Sequence, residues 1–305
     1  MINILKAVSG TPNKKQALRR FGVTITIVNL LGHLYIGFET SYACTLISVI
    51  NSCFVQLVLE WARSKAEKIE PLYANGRMID FLLPAYIVGM TCGMFLFTNG
   101  RFMPLIFATT LAIASKFLLR VRVGDHTVHY LNPSNLAIVV SLLAFPSVAI
   151  IMPFSFSSGL GNVGDILFPV ILFSLGCFVN GVLTKRLILV FAWLGTFVVA
   201  AFARYLFFDA QLFAVLAVAT GPIPIIYSFY MISDPGTTPN SAGAQALFGA
   251  SIGVFYFLLT VNHVIYGIFI ALTLACAVRG LAIWISQRSR TEKILGVGTI
   301  QTQAV

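Results

Sequence analysis

Charged residues are scarce along the whole chain, and acidic residues are the scarcest. The 305 residues include 10 Asp and Glu against 20 Lys and Arg, so that only 10% are charged. Soluble domains carry about 25% charged residues. With 58% hydrophobic residues and a mean hydropathy of +0.91, the chain has too little polar surface for a water-soluble globule. The shortage runs from end to end, which excludes a soluble domain with one membrane anchor.

Several signatures of catalytic and metal-binding proteins are also missing. The sequence contains no phosphate-binding loop, no nucleophile elbow and no zinc-protease helix, so we predict no soluble-type catalytic site. The cysteines form no C-x-x-C pair, and we therefore predict neither a metal site nor a disulfide framework. All five lie in apolar stretches and are predicted to be small buried hydrophobes: Cys44, Cys53, Cys92, Cys177 and Cys276.

Long apolar runs are what the chain does contain. A helix needs about 20 mostly apolar residues to cross a bilayer. The runs predict an all-α polytopic membrane protein with about ten transmembrane helices, a number compatible with two five-helix halves. Residues 1–20 form an N-terminal segment, 21–286 a single transmembrane domain and 287–305 a tail. The predicted spans are 21–38, 42–60, 79–97, 102–120, 133–152, 166–183, 187–207, 211–230, 241–260 and 263–286.

The distribution of Lys and Arg predicts the orientation. Short cytoplasmic loops carry an excess of these residues. If the N-terminus is cytoplasmic, most basic residues lie on the cytoplasmic side, whereas the outer loops contain only Arg101 and, at a helix end, Arg204. We therefore predict a multi-pass protein of the inner (plasma) membrane with both termini cytoplasmic. The net charge of +10 is then a topology signal, and no nucleic-acid partner is predicted.

The first polar segment within this apolar chain runs from Ser115 to Asn135. Lys116 and Arg120 are four residues apart, which predicts that they share one helix face. Asn132 suits an N-cap and Pro133 suits the first helical position. The segment is either a capped helix start or a site for a phosphate or a flavin ring edge at a positive helix end. Its candidate site residues are Lys116, Arg120, His129, Asn132, Ser134 and Asn135.

The second polar segment is MISDPGTTPNS, from Met231 to Ser241. Its prolines and glycine are incompatible with a continuous helix, and Gly221–Pro224 breaks the apolar run before it. Irregular backbone at membrane depth is tolerated only inside protein or beside a cavity. The segment is therefore either a loop after a kinked helix or part of a binding site with candidate residues Asp234, Thr237 and Thr238.

Other polar residues within the spans allow two interpretations. Asn51, Gln56 and Glu60 lie along one side of the second span, and Asn29 and His33 are four apart in the first. Such stripes either bond neighbouring helices or line a polar cavity. Outside these stripes, Asp80 is predicted to neutralise Arg77 or another cation of a cytoplasmic loop, and mixed charges over residues 61–77 predict a short interfacial helix that ends at Pro71.

The two polar segments resemble the signature of a known family. Ser115–Arg120, His129–Asn135 and Ile232–Pro239 are similar to motifs of the NqrB/RnfD family, whose members are membrane components of the sodium-pumping NADH:quinone reductase and of the Rnf electron-transport complex. The stretch 247–275 is most similar to the UnbU-type membrane proteins of enediyne biosynthesis clusters.

The resemblance implies a ten-helix fold that carries flavin and passes electrons through the membrane. In family members, one FMN is esterified to a threonine of an outer loop. The corresponding loop here, Pro153–Asp165, contains no threonine, so covalent flavin is not expected. The resemblance instead implies riboflavin or FMN held noncovalently near the two segments.

Two functions remain open at this point. In the first, the chain is a flavin-binding subunit that takes part in membrane electron transfer with redox partner subunits. In the second, it is a transporter or permease for a small molecule or ion, with a link to natural-product biosynthesis and its partner proteins.

Overall fold

A computed structural model describes residues 14–38, 40–74, 76–123, 126–151 and 161–302, and these residues are mostly helical. The helices are α1 Lys14–Leu31, α2 Tyr42–Glu67, α3 Met78–Phe95, α4 Met103–Leu118, α5 Pro133–Ala144, α6 Gly161–Phe178, α7 Leu187–Phe207, α8 Leu212–Ala217, α9 Pro222–Ile226, α10 Ala242–Val261 and α11 Gly267–Thr302. Three π-helical turns, Gly32–Ile36, Val179–Leu183 and Tyr227–Met231, extend α1, α6 and α9, and a 3₁₀ turn, Val218–Thr220, follows α8. Two short antiparallel pairs complete the fold: β1 Leu96–Phe97 with β4 Ala149–Ile150, and β2 Arg120–Val123 with β3 His126–His129.

The helices are those of a multi-pass membrane protein. Six are long and apolar enough to cross a bilayer, namely α2, α3, α6, α7, α10 and α11. The bent pair Leu212–Thr220 and Pro222–Met231 gives a seventh span if it is counted as one. The predicted number of ten is not reached by this criterion, because α4 and α5 have only 16 and 12 residues and α1 does not qualify.

Two glycine pairs, each four residues apart, lie at close helix contacts. Gly89 and Gly93 of α3 face Ser52 and Thr45 of α2, and a Cβ on either glycine would lie within 3 Å of the neighbouring helix. Gly249 and Gly253 do the same for α10 against α7, where a Cβ on Gly249 would overlap the carbonyl oxygen of Leu189. Small residues at this spacing let helix backbones approach closely in membranes, where apolar side chains gain little by leaving lipid.

The start of α1, whose sequence includes Lys14, Lys15, Arg19 and Arg20, meets the start of α3 at one end of the bundle. We call this the basic end. Arg19 binds Asp80 there at 2.7 Å, so Asp80 neutralises a basic residue of the first segment rather than Arg77. The predicted separate interfacial helix at 61–77 is wrong. Helix α2 continues without interruption to Glu67, and Lys68 ends it in the left-handed conformation (φ +54°), before Pro71.

The polar stripe of α2 bonds neighbouring structure. Asn51 donates to the carbonyl of Ile106 and to Thr109 on α4, at 3.1 and 2.8 Å. Glu60, only 1% exposed, accepts hydrogen bonds from Arg63 and from the backbone N–H of Leu72. Hydrogen bonding between helices is therefore the correct interpretation for Asn51, whereas Glu60 bonds within α2 and to the loop that follows it.

Helices α8 and α9 form a broken span, with a bend of 63° between their two parts. Pro222 starts α9, and the π-turn Tyr227–Met231 ends the span at the segment that sequence analysis predicted to be irregular. Side chains fix this span on several sides: Tyr227 donates to the carbonyl of Ile268, and Trp193 donates to Ser228. The π-turn at the end of the span therefore lies inside the protein, where irregular backbone is tolerated, whereas the bend itself, at Thr220–Gly221, is not buried.

Candidate functional site

A cavity of about 320 Å³ lies between α1, α3, the end of α6 and the broken span. Most of its wall is apolar, with Ile25 of α1, Val88 of α3 and Phe229 of the broken span among the lining residues. Its two charged groups, Lys116 and Asp234, come one from each polar segment, which also contribute His129 and Ser134 to the lining. The structure thus brings the two predicted segments together at one cavity.

Asn132 joins the two segments directly. Its Oδ1 accepts from the backbone N–H of Asn135 at 3.0 Å, which confirms the predicted N-cap, and Pro133 follows at the first helical position. Its Nδ2 donates to the carbonyl of Met231 at 2.9 Å. One buried side chain therefore caps the start of α5 and the end of the broken span.

Asn132→Ala is expected to lower the free energy of unfolding by about 1–3 kcal/mol. The lost N-cap contributes about 0.5–2 kcal/mol, and the lost bond to Met231 about 0.5–1.5 kcal/mol. Thermal unfolding in detergent measures the effect, with Asn262→Ala as the control. Asn262 is exposed and bonds only within its own helix, to Leu258, so its loss should cost less than about 0.5 kcal/mol. Equal losses for the two variants would contradict the bridging role of Asn132.

Asp234 organises the loop that follows the broken span. Its carboxylate accepts from the N–H of Gly236 at 3.0 Å and from the hydroxyl of Thr237 at 3.2 Å, while Thr238 donates to its carbonyl at 2.6 Å. Asp234 lines the cavity. The two threonines are buried and are not among the cavity-lining residues: Thr237 holds the carboxylate of Asp234, and Thr238 holds its backbone carbonyl.

Two arginines that sequence analysis did not select hold this loop from behind. Arg186 is fully buried and donates to Thr238 at 2.8 Å and to Asn240 at 2.6 Å. Arg279 donates to the carbonyl of Thr237 at 2.7 Å. Burial lowers the pKa of Arg186 to about 10 against the opposing attraction of Asp234, so the guanidinium stays charged at neutral pH. In the sequence, Arg186 lies beside Lys185 and was counted only among the basic residues that predict the orientation of the chain.

Lys116 and Asp234 line the same cavity without bonding to each other. The ammonium of Lys116 donates to the carbonyl of Pro84 at 3.3 Å, and the Asp234 carboxylate is near enough to attract it electrostatically. Among the contacts of the described residues, no hydrogen bond or ion pair joins the two groups. The cavity thus presents a positive donor and a negative acceptor that a ligand can satisfy together.

Arg120 and Lys116 do not share a helix face, and that prediction is wrong. Helix α4 ends at Leu118, so Arg120 belongs to strand β2. The exposed guanidinium of Arg120 donates back to the carbonyl of Lys116 and lies 5.1 Å from the Phe117 ring centre. It does not line the cavity.

His129 and Asn135 have different roles. His129 lines the cavity beside the loop, where a Cβ on Gly236 would lie 3.0 Å from its Nε2. Asn135 is buried away from the cavity and donates to Phe269 and Thr273 at 2.9 Å each, which ties α5 to α11. Residues 153–160 of the predicted outer loop lie outside the described residues, so the absence of covalent flavin stays a prediction.

The comparison with known proteins gives no family assignment. No protein-family model matches the chain, and no curated protein matches its sequence significantly. The fold and the cavity define a helical multi-pass membrane protein with one mixed polar and apolar cavity at the junction of two irregular segments.

Proposed function

We propose that this membrane protein binds riboflavin or FMN noncovalently in the cavity and takes part in membrane electron transfer. The observation that carries the proposal is the pair Lys116 and Asp234, which line one cavity without bonding to each other. The pyrimidine edge of a flavin ring presents carbonyl acceptors beside an N–H donor. Lys116 can donate to a carbonyl and Asp234 can accept from the N–H, so one ring edge satisfies both charges.

The shape and polarity of the cavity support the same ligand. On α1 the lining residues extend from Leu18 to Val28. These two residues are ten positions apart, which corresponds to about 15 Å at 1.5 Å per residue. The Lys116 ammonium bonds to Pro84 in the second turn of α3, whereas the apolar Met94 lines the cavity near the end of the same helix, so the charge and the apolar wall are separated along α3. A flavin ring has the same polarity, with a polar pyrimidine edge and an apolar dimethylbenzene edge. The volume of about 320 Å³ is near the lower limit of small-molecule sites, about 300–1,000 Å³, which favours a mononucleotide or nucleoside over a dinucleotide.

The residues of the chain would bind and orient the flavin, and the flavin would supply the redox chemistry. A positive charge beside the pyrimidine edge favours the electron-rich reduced ring, which is the expected effect of Lys116. The electron donor and acceptor must come from partner subunits or the membrane. We further propose membership of the NqrB/RnfD family, supported by the motif resemblance, and an orientation with the basic end in the cytoplasm, supported by the positive-inside rule.

Asp234→Ala is the test of the proposed ligand geometry. Titrating riboflavin into the purified protein should quench flavin fluorescence, and the variant should bind about tenfold or more weakly, since a hydrogen bond to a charged group contributes about 1.5–3 kcal/mol. Asp165→Ala, an exposed carboxylate at the start of α6, is the control and should leave the affinity unchanged. A wild-type protein that does not quench, or equal affinities for all three proteins, would count against the proposal.

A permease for a small amphipathic molecule is the second candidate, and the broken span favours it. Phe229, Tyr230 and Met231 of this span line the cavity, and broken helices form substrate sites in many transporters. Proteoliposomes loaded with riboflavin distinguish the two candidates. Retention of the loaded riboflavin with saturable binding to the protein favours the electron-transfer subunit, whereas saturable flux favours the permease.

A further inference from the structure

The end of the broken span leaves backbone carbonyls in need of donors. The last four carbonyls of a helix have no partner within the helix. In the π-turn Tyr227–Met231, the N–H of Ile232 bonds to Tyr227, and the carbonyls after it must find donors elsewhere. Asn132 donates to Met231, as described above.

Asn180 provides the second donor. It lies in the π-turn Val179–Leu183 at the end of α6 and is fully buried. Its Nδ2 donates to the carbonyl of Phe229 at 2.6 Å and to that of Gly176 at 2.9 Å. Two asparagines therefore cap the broken span: Asn132, at the start of α5, donates to Met231, and Asn180, at the end of α6, donates to Phe229.

The Asn180 side chain has no hydrogen-bond donor left for a ligand. Both amide hydrogens are used, and Oδ1 accepts from Thr184 at 2.8 Å. Its carbonyl accepts from the N–H of Arg186, the arginine that holds the loop after Asp234. Asn180 does not line the cavity, although its neighbours Val179 and Thr184 do.

The packing around Asn180 leaves little freedom for an alternative arrangement. A Cβ on Gly176 would lie 2.5 Å from the Phe229 ring, so α6 and the broken span touch with no space between them. The Phe229 carbonyl also accepts from Ser233, one residue before Asp234. A shift of Asn180 would therefore displace Phe229, which lines the cavity, and Arg186, which holds the loop after Asp234.

We infer that Asn180 is a positioning residue, which fixes the π-turn of the broken span and thereby presents Asp234 to the cavity ligand. The flavin part of this inference rests on the proposed function, whereas the conformational part does not. Asn132 and Asn180 together fix the end of the broken span that precedes Asp234. Asn180 does so without lining the cavity.

Hydrogen exchange of residues 227–236, measured by mass spectrometry in detergent, tests the inference without any ligand. Asn180→Ala should speed exchange there about fivefold to tenfold, because the loss of a buried hydrogen bond favours local opening. Asn51→Ala is the matched control, since it removes a comparable asparagine–carbonyl bond between α2 and α4. It should lower the thermal midpoint similarly and leave exchange at 227–236 unchanged.

The riboflavin affinity of the same variants completes the test. Asn180→Ala should weaken binding about tenfold while Asn51→Ala leaves it intact. If Asn180→Ala does not fold, Thr184→Val replaces it, because it removes only the hydroxyl donor to Asn180 and should accelerate exchange at 227–236 less strongly. Exchange at 227–236 that matches the Asn51 control would overturn the inference. Accelerated exchange in a protein that never binds riboflavin would keep the positioning role and reject the flavin ligand.

Discussion

Lys116→Met is expected to lower the affinity for riboflavin or FMN by about one to two orders of magnitude. Methionine keeps the length and most of the volume of the side chain but removes the positive donor that faces the cavity. A hydrogen bond to a charged group contributes about 1.5–3 kcal/mol, and each 1.4 kcal/mol is a factor of ten in affinity. Fluorescence titration of the purified variant measures the loss, with a parallel thermal unfolding curve as the check on folding.

Arg120→Met is the matched control for that experiment. Arg120 lies four residues away and carries the same charge, but its guanidinium is exposed and bonds back to the carbonyl of Lys116. The expected affinity is that of the wild-type protein. If Arg120→Met weakens binding as much as Lys116→Met, general positive charge rather than the cavity ammonium determines affinity, and the site is placed wrongly.

Gly249→Ala is expected to destabilise the protein although alanine is the better helix former. A Cβ at this position would overlap the carbonyl oxygen of Leu189, and a backbone atom cannot rotate away as a side chain can. Helices α7 and α10 must therefore separate, at a cost of about 1–3 kcal/mol, which outweighs a helix-propensity gain of about 1 kcal/mol. The midpoint of thermal unfolding in detergent should fall, together with the monodisperse yield.

Gly243→Ala in the same helix separates packing from propensity. No atom lies within 4 Å of a Cβ at Gly243, so the substitution should be neutral or stabilising by up to about 1 kcal/mol. Opposite signs for the two variants are the expected result. Similar midpoints for both would mean that the close approach of α7 and α10 does not hold in the folded protein.

The features predictable from sequence are those set by local chemistry. The cap at Asn132 depends on a residue type and the next three positions, and the break at Asp234–Pro239 depends on prolines and a glycine that no context makes helical. Both positions therefore agree with the structure.

The features missed by sequence depend on where elements end in three dimensions. Lys116 and Arg120 would share a face if α4 continued one more turn, but the hairpin β2–β3 begins at Arg120. Arg186 was interpreted as a topology charge because complete burial of an arginine is a tertiary property. The count of ten spans stays a prediction, because six or seven spans of the described residues meet the length and hydropathy criterion and α4 and α5 are too short for it.

The most direct test of the account is the flavin content of the purified protein. After gentle purification in mild detergent, the protein is precipitated with acid and the flavin in the supernatant and pellet is measured by absorbance and fluorescence. The account predicts flavin close to equimolar with the chain, all of it in the supernatant, and much less from Lys116→Met. A colourless protein that also fails to take up added riboflavin or FMN would contradict the central claim.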